Sequence, residues 1–115
     1  MAGRISTSTA EWTGNLKEGR GHMKVGKTGF DAPFTFGTRF EDAPGTNPEE
    51  LIAAAHAGCF SMQFSAFLAE AGHAPTSIRT SAKVHIVAGK GITEIELITE
   101  GDVPGISPAR FQELA

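Results

Sequence analysis

Apolar positions along this chain alternate with polar ones, then run almost unbroken, then alternate again. Ile5 to Thr13 is rich in Ser and Thr and carries Trp12 near its end, which predicts a first strand. Asn15 to Gly21 (NLKEGRG) is polar and glycine-containing, the composition of a hairpin connection. His22 to Gly26 is then the returning strand, with Met23 and Val25 on one face. Phe34, Phe36 and Thr38 alternate with Thr35, Gly37 and Arg39, which predicts a third strand. That alternation sends Arg39 to the face opposite Phe34 and Phe36. With the phenylalanines packed inward, Arg39 is left to face a cleft, a partner or solvent.

The unbroken segment is Asn47 to Gly72. Asn47 is a good N-cap, Pro48 suits the first helical position, Glu49 and Glu50 fall in the positive first turn, and Gly72 is a left-handed terminator. About 24 residues lie between the ends, or roughly 36 Å of helix. Leu51, Ile52, Phe60, Met62, Phe64, Phe67 and Leu68 are not confined to one stripe, which predicts a central helix buried nearly all round. The small residues Ala53 to Gly58 around His56 admit a close neighbour. So short a chain can hardly cover such a helix alone, so a partner is expected.

After Pro75 the period returns to two: Ile78, Thr80, Ala82, Val84 and Ile86, a turn at Gly89-Lys90-Gly91, then Ile92, Ile95, Leu97 and Ile98. Asp102 to Gly105 breaks the strand, and Ser107 caps a last helix that begins with Pro108 and runs through Phe111 and Leu114. The order is strands, long helix, strands, helix, without βαβ alternation. The fold class is therefore α+β with mainly antiparallel sheet around a central helix, a single domain over residues 1–115.

Composition narrows the function. At 115 residues with 40% apolar and 20% charged content, the chain is ordinary for one globular domain that buries roughly 65% of its surface. A net charge of −3 with dispersed basic residues argues against nucleic acid and against an anionic membrane surface. No apolar run approaches the roughly 20 residues of a membrane span, and no secretory signal opens the chain. The only cysteine cannot form an internal disulfide, which fits a reducing compartment, so the cytosol is expected.

That cysteine is Cys59, in the middle of the helix. An unpaired cysteine is ordinarily a small buried hydrophobe. A reactive one needs its thiolate stabilised, and a mid-helix position has no free N-terminal dipole, so a cation must come from elsewhere. His56, three residues earlier, shares its helix face, and a Cys-His pair serves as nucleophile and base or as metal ligands. No second Cys or His stands at ligand spacing, so no metal is expected, and His56 is read as a packing residue. Glu49 and Glu50 have an ordinary role in the first turn. Glu49 lies ten residues before Cys59, roughly 15 Å along the axis, so the two cannot meet within one straight helix. If both serve one site, the carboxylate comes from a second copy of the chain.

The segment Gly45 to Met62, GTNPEELIAAAHAGCFSM, closely resembles the peroxidatic-cysteine motif of the OsmC/Ohr family, the osmotically inducible and organic hydroperoxide resistance proteins. The segments TRFED around Arg39, AEWTGNLKEGRG and GDVPGIS resemble its OsmC branch, and the likeness extends over essentially all of the chain. It implies swapped, intertwined α+β subunits in an obligate homodimer with two interface sites. It assigns Cys59 as the peroxide-attacking thiol, Glu49 as the family's acid and Arg39 as its arginine. Arg39 would favour the thiolate and donate to the peroxide, oriented by Glu49 through a bidentate pair. Organic hydroperoxides, alkyl or lipid, are then reduced to alcohols through a sulfenic acid, in oxidative or osmotic stress defence and without a cofactor. An apolar mouth of phenylalanines would favour them over hydrogen peroxide. The family's second, resolving cysteine would fall roughly ten residues past Ala115 by its spacing, as if the C-terminal part were missing, so an external dithiol is expected as reductant. Two other readings stand beside this one. One is a non-catalytic dimeric binding protein with an apolar interface pocket. The other is a Cys-His acyl-transfer enzyme using Cys59 and His56.

Overall fold

The computed structural model describes residues 3–27 and 30–115, which divide into two compact units. The first is Met1–Leu51 with Ile86–Gly91, the second Ile52–His85 with Ile92–Ala115.

In the first unit β1 (Ser8–Thr13), β2 (Arg20–Val25) and β3 (Phe30–Phe34) form an antiparallel sheet in that order. The first strand begins later than predicted, and Ile5 lies outside it, exposed. One cross-strand row aligns Trp12, Gly21 and Phe34. Directly paired residues share a sheet face, so the two aromatics close over the glycine between them, their ring centroids 5.4 Å apart. A Cβ on Gly21 would stand 2.6 Å from the Trp12 ring and 3.0 Å from Phe34, so only glycine fits there.

The third predicted strand is corrected. Strand β3 ends at Phe34, and Phe36–Phe40 form a short helix, α1. Thr35 caps it reciprocally with Thr38: the Thr38 N–H donates to Thr35 Oγ1 at 3.2 Å and the Thr35 N–H to Thr38 Oγ1 at 2.9 Å. This is a capping box with threonine in the usual acidic position. Phe36 and Phe40 are thus helical neighbours four apart, with ring centroids 5.1 Å from each other. Arg39 consequently projects from a helical turn rather than from the polar face of a strand.

The long helix is α2 (Pro48–Glu70). Asn47 caps it, its Oδ1 accepting the Glu50 N–H at 2.8 Å. At the other end Gly72 is left-handed (φ 88), the His73 N–H reaches the Leu68 carbonyl and the Gly72 N–H the Ala69 carbonyl. That is the paired closure of a Schellman end.

Strands β4 (Ser77–Val87) and β5 (Gly91–Asp102) form a hairpin that belongs to the second unit except for its tip, Ile86–Gly91, and α3 (Pro108–Leu114) starts at its Ser107 cap. Ile78, Thr80, Ala82 and Val84 are half-buried while Arg79, Ser81, Lys83 and His85 are exposed, the period-two pattern read from the sequence. The helix meets this sheet through a hydroxyl chain, Ser61 to Thr80 at 2.7 Å and Thr80 to Thr99 at 3.0 Å. Phe64 stacks edge-on against Phe111, and Phe64 and Leu68 are buried, Leu68 completely.

The expectation of a helix buried nearly all round does not hold within one chain. Ile52, Met62 and Phe67 are exposed, Met62 at 80%. A short sheet can cover one side of a helix and no more. The chain nonetheless contains a helix long and apolar enough, by length and composition, to cross a membrane, contrary to the sequence reading. His56, Gln63 and the serines interrupt the apolar run without lowering its average below that of a span, and core helices of soluble proteins meet the same measure.

Candidate functional site

Arg39 and Glu49, predicted from separate segments, are brought together. The C-cap Glu41 N–H closes α1 on the Gly37 carbonyl at 3.0 Å, and the following loop folds back so that the Ala43 N–H meets the same oxygen. Gly45 permits the return: it is left-handed (φ 130) and lies against the Thr38 methyl group. The chain then enters α2, whose first turn carries Glu49.

Arg39 Nε donates to Glu49 Oε1 at 3.0 Å and Nη2 to Oε2 at 3.2 Å. This two-point fork is the strong, orientation-fixing form of a charge-assisted hydrogen bond. The acid is buried and the base is not, with 8% and 37% of their side chains exposed. Glu49 is the buried charged residue among those described. The guanidinium also lies over the Phe40 ring, 5.0 Å from its centroid. Glu50 is engaged otherwise, accepting from the Thr46 hydroxyl at 2.8 Å. The two neighbouring glutamates are therefore not equivalent: one pairs with the arginine, the other serves the helix start.

An open apolar groove of about 260 Å³ adjoins the pair, lined by Trp12, Leu16, Phe34, Thr35, Phe36, Arg39 and Phe40. Its walls are the phenylalanines of β3 and α1. Of the large apolar residues on α2, Phe64 is buried while Phe67 and Met62 are exposed, and none of them lines this groove.

Cys59 belongs to the second unit. It is exposed. Two residues from Ser61, it sits roughly 160° around the helix from the residue that meets the sheet. His56 shares its open face, also exposed. The bland reading of Cys59 as a buried hydrophobe therefore fails in the single chain. The sequence also gave no sign of His85, Glu94 and Glu96, whose ligand-capable atoms lie within 4.8 Å of one another on the exposed face of the hairpin. His85 Nε2 is 2.7 Å from Glu96 Oε2, a hydrogen bond that holds the Glu96 carboxyl below its ordinary range. The grouping is cross-strand, so no linear spacing announces it.

Residues 40–115 match the OsmC-like protein family. The chain is 50% identical to Peroxiredoxin OsmC of Escherichia coli (strain K12) over 107 aligned positions, covering 89% of this chain and 74% of that protein, and the same figures hold for Peroxiredoxin OsmC of Shigella flexneri. Its fold is similar to that of an organic hydroperoxide resistance protein from Elizabethkingia anophelis, with a TM-score of 0.66 at 24% identity over 96% of this chain and 79% of that one. It is also similar to OhrB of Bacillus subtilis, with a TM-score of 0.60 at 21% identity over 94% and 79%. Half of all aligned positions shared with the bacterial peroxiredoxins, together with a family match across α2 and the second hairpin, establish that the chain belongs to the OsmC-like protein family.

Proposed function

We infer that this protein is a cysteine-based peroxidase that reduces organic hydroperoxides. The observation that carries the inference is the fork between Arg39 and Glu49, set beside an apolar groove in a chain whose single cysteine is exposed. A free cysteine thiol, with a pKa near 8.5, is mostly protonated at neutral pH, and the thiolate is the nucleophile. A guanidinium held in one orientation favours that thiolate and donates to the peroxide oxygens. Glu49 occupies Nε and Nη2, which leaves Nη1 for the substrate.

The Cys59 thiolate attacks the outer oxygen of ROOH. The O–O bond breaks, a proton goes to the departing alkoxide, and the products are ROH and Cys59 sulfenic acid. The groove beside Arg39 suits the organic part of the substrate. Among these 115 residues there is no second thiol to condense with the sulfenic acid. Reduction of the sulfenic acid by an external dithiol completes the cycle, in the reducing cytosol.

A homodimer supplies the rest. Glu49 and Cys59 are ten residues apart on one helix, roughly 15 Å of rise. Because Glu49 grips Arg39 within its own chain, a partner that delivers one delivers both. The open face of α2, with Ile52, Met62 and Phe67 around Cys59, is the surface such a partner covers.

Stopped-flow mixing with cumene hydroperoxide tests the reading. Loss of one thiol per chain is expected, slowed by Arg39→Ala and absent in Cys59→Ser. No selective thiol loss leaves only a binding protein. Burst acylation by activated esters, abolished by His56→Ala, points to acyl transfer instead.

A further inference from the structure

Two helices carry the halves of the fork, and one side chain ties them together. Asn47 Oδ1 accepts the Glu50 N–H at 2.8 Å, as a helix cap does. Its other amide atom, Nδ2, donates to the Thr38 carbonyl, also at 2.8 Å. That carbonyl belongs to the peptide leading into Arg39. A single planar amide thus fixes the start of the Glu49 helix and the backbone of the Arg39 helix in one frame.

The second bond matters because α1 has little else to hold it. It is a five-residue helix with no buried residue. So short a helix does not persist by itself. Its internal ties are the Thr35–Thr38 box, the backbone bonds from the Arg39 N–H to the Thr35 carbonyl and from the Glu41 N–H to the Gly37 carbonyl, and the Phe36–Phe40 contact, none of which reaches α2. Apart from the fork itself, the Asn47 amide is the hydrogen bond from α2's cap to α1 among the described residues. Without it the fork would have to hold α1 in place as well as orient the guanidinium.

We propose that Asn47 is a positioning residue for peroxide reduction, acting through Arg39 by clamping the Thr38 carbonyl to the cap of α2. This rests on the role given to Arg39 above. The two functions of the amide are separable. Aspartate and serine cap a helix about as well as asparagine. Aspartate has no donor for the Thr38 carbonyl, and the shorter serine cannot span to it.

The test is a double-mutant cycle on the full chain, read as the rate of Cys59 oxidation by cumene hydroperoxide. Asn47→Ser and Asn47→Asp are expected to keep helical content and cooperative melting. Their reaction is expected to slow by about tenfold to a hundredfold, the range for a misplaced catalytic group. In an Arg39→Ala background the same substitutions are expected to slow it no further, because they act through the group already removed. The rising limb of the pH–rate profile moves to higher pH in Asn47→Ser as it does in Arg39→Ala. A parental rate in Asn47→Ser beside a slow Arg39→Ala overturns the positioning role alone. Equal slowing with and without Arg39 also overturns it, since a purely structural defect is additive. A parental rate in Arg39→Ala overturns both this role and the reading beneath it.

Discussion

Arg39 meets the buried carboxylate of Glu49 through Nε and Nη2, and its Nη1 has no hydrogen-bond partner among the described residues. The asymmetry of burial makes the two truncations unequal. Arg39→Ala leaves an unpaired carboxylate inside the protein, at a cost of about 1–3 kcal/mol. Glu49→Ala leaves a guanidinium that reaches solvent and still covers the Phe40 ring, so its cost is smaller. Urea unfolding of both variants is expected to place Arg39→Ala at the lower midpoint. The reverse order would mean that the arginine, not the acid, is the desolvated partner.

Lysine cannot replace the arginine. Its ammonium presents a point charge where a planar fork is needed, and it cannot pair with both Glu49 oxygens while keeping a directed donor for substrate. Arg39→Lys is expected to retain much of the stability but to slow oxidation of Cys59 by cumene hydroperoxide by about tenfold or more. Stopped-flow rates at one pH decide it. A lysine variant that reacts as fast as the parent would show that charge alone suffices.

Gly21 gives a prediction on stability. An alanine there brings its Cβ within 2.6 Å of the Trp12 ring and 3.0 Å of Phe34. Neither ring can retreat without opening the row that the sheet register imposes, and overpacking of this kind costs about 1–3 kcal/mol. Trp12 is the only tryptophan in the chain. Its fluorescence therefore reports the row directly. Gly21→Ala is expected to shift the emission and lower the melting temperature together, and an unchanged spectrum would place the ring elsewhere.

Much of this was legible in the sequence, and the errors have local causes. Asn47, Pro48 and Gly72 marked the ends of α2 because cap and terminator chemistry is set within one turn of chain. The hairpin of β4 and β5 was legible from the period-two alternation along β4 and the Gly89-Lys90-Gly91 turn that leads into β5. Helix α1 was not, because five residues are too few to separate the two periods, and Phe34, Phe36 and Thr38 imitate a strand. Its signal was the Thr35–Thr38 pair, hidden because threonine stood where a capping box ordinarily has an acid. The fork was expected only through the family resemblance, since ten residues of loop and helix separate Arg39 from Glu49. Burial of α2 was overestimated because composition reveals that a face is apolar without saying which chain covers it.

Met62 tests the proposed homodimer from that uncovered face. It is 80% exposed in the single chain. A lysine there meets only solvent in an isolated subunit, where a surface substitution changes stability by less than about 0.5 kcal/mol. If a second copy covers this face, the same lysine loses its hydration without gaining a partner, and charges buried that way are strongly unfavourable. Met62→Lys is therefore expected to halve the mass seen in sedimentation equilibrium. The peroxide reaction is expected to fall with it, because each Cys59 loses the Arg39–Glu49 pair of its neighbour. Arg39→Ala chains, slow alone, and Cys59→Ser chains, inactive alone, are expected to recover about one full-rate site per mixed dimer when co-refolded, since one chain supplies the thiol and the other the fork. Parental mass and rate in Met62→Lys, with no recovery on mixing, would place the fork and the thiol of a working site on one chain.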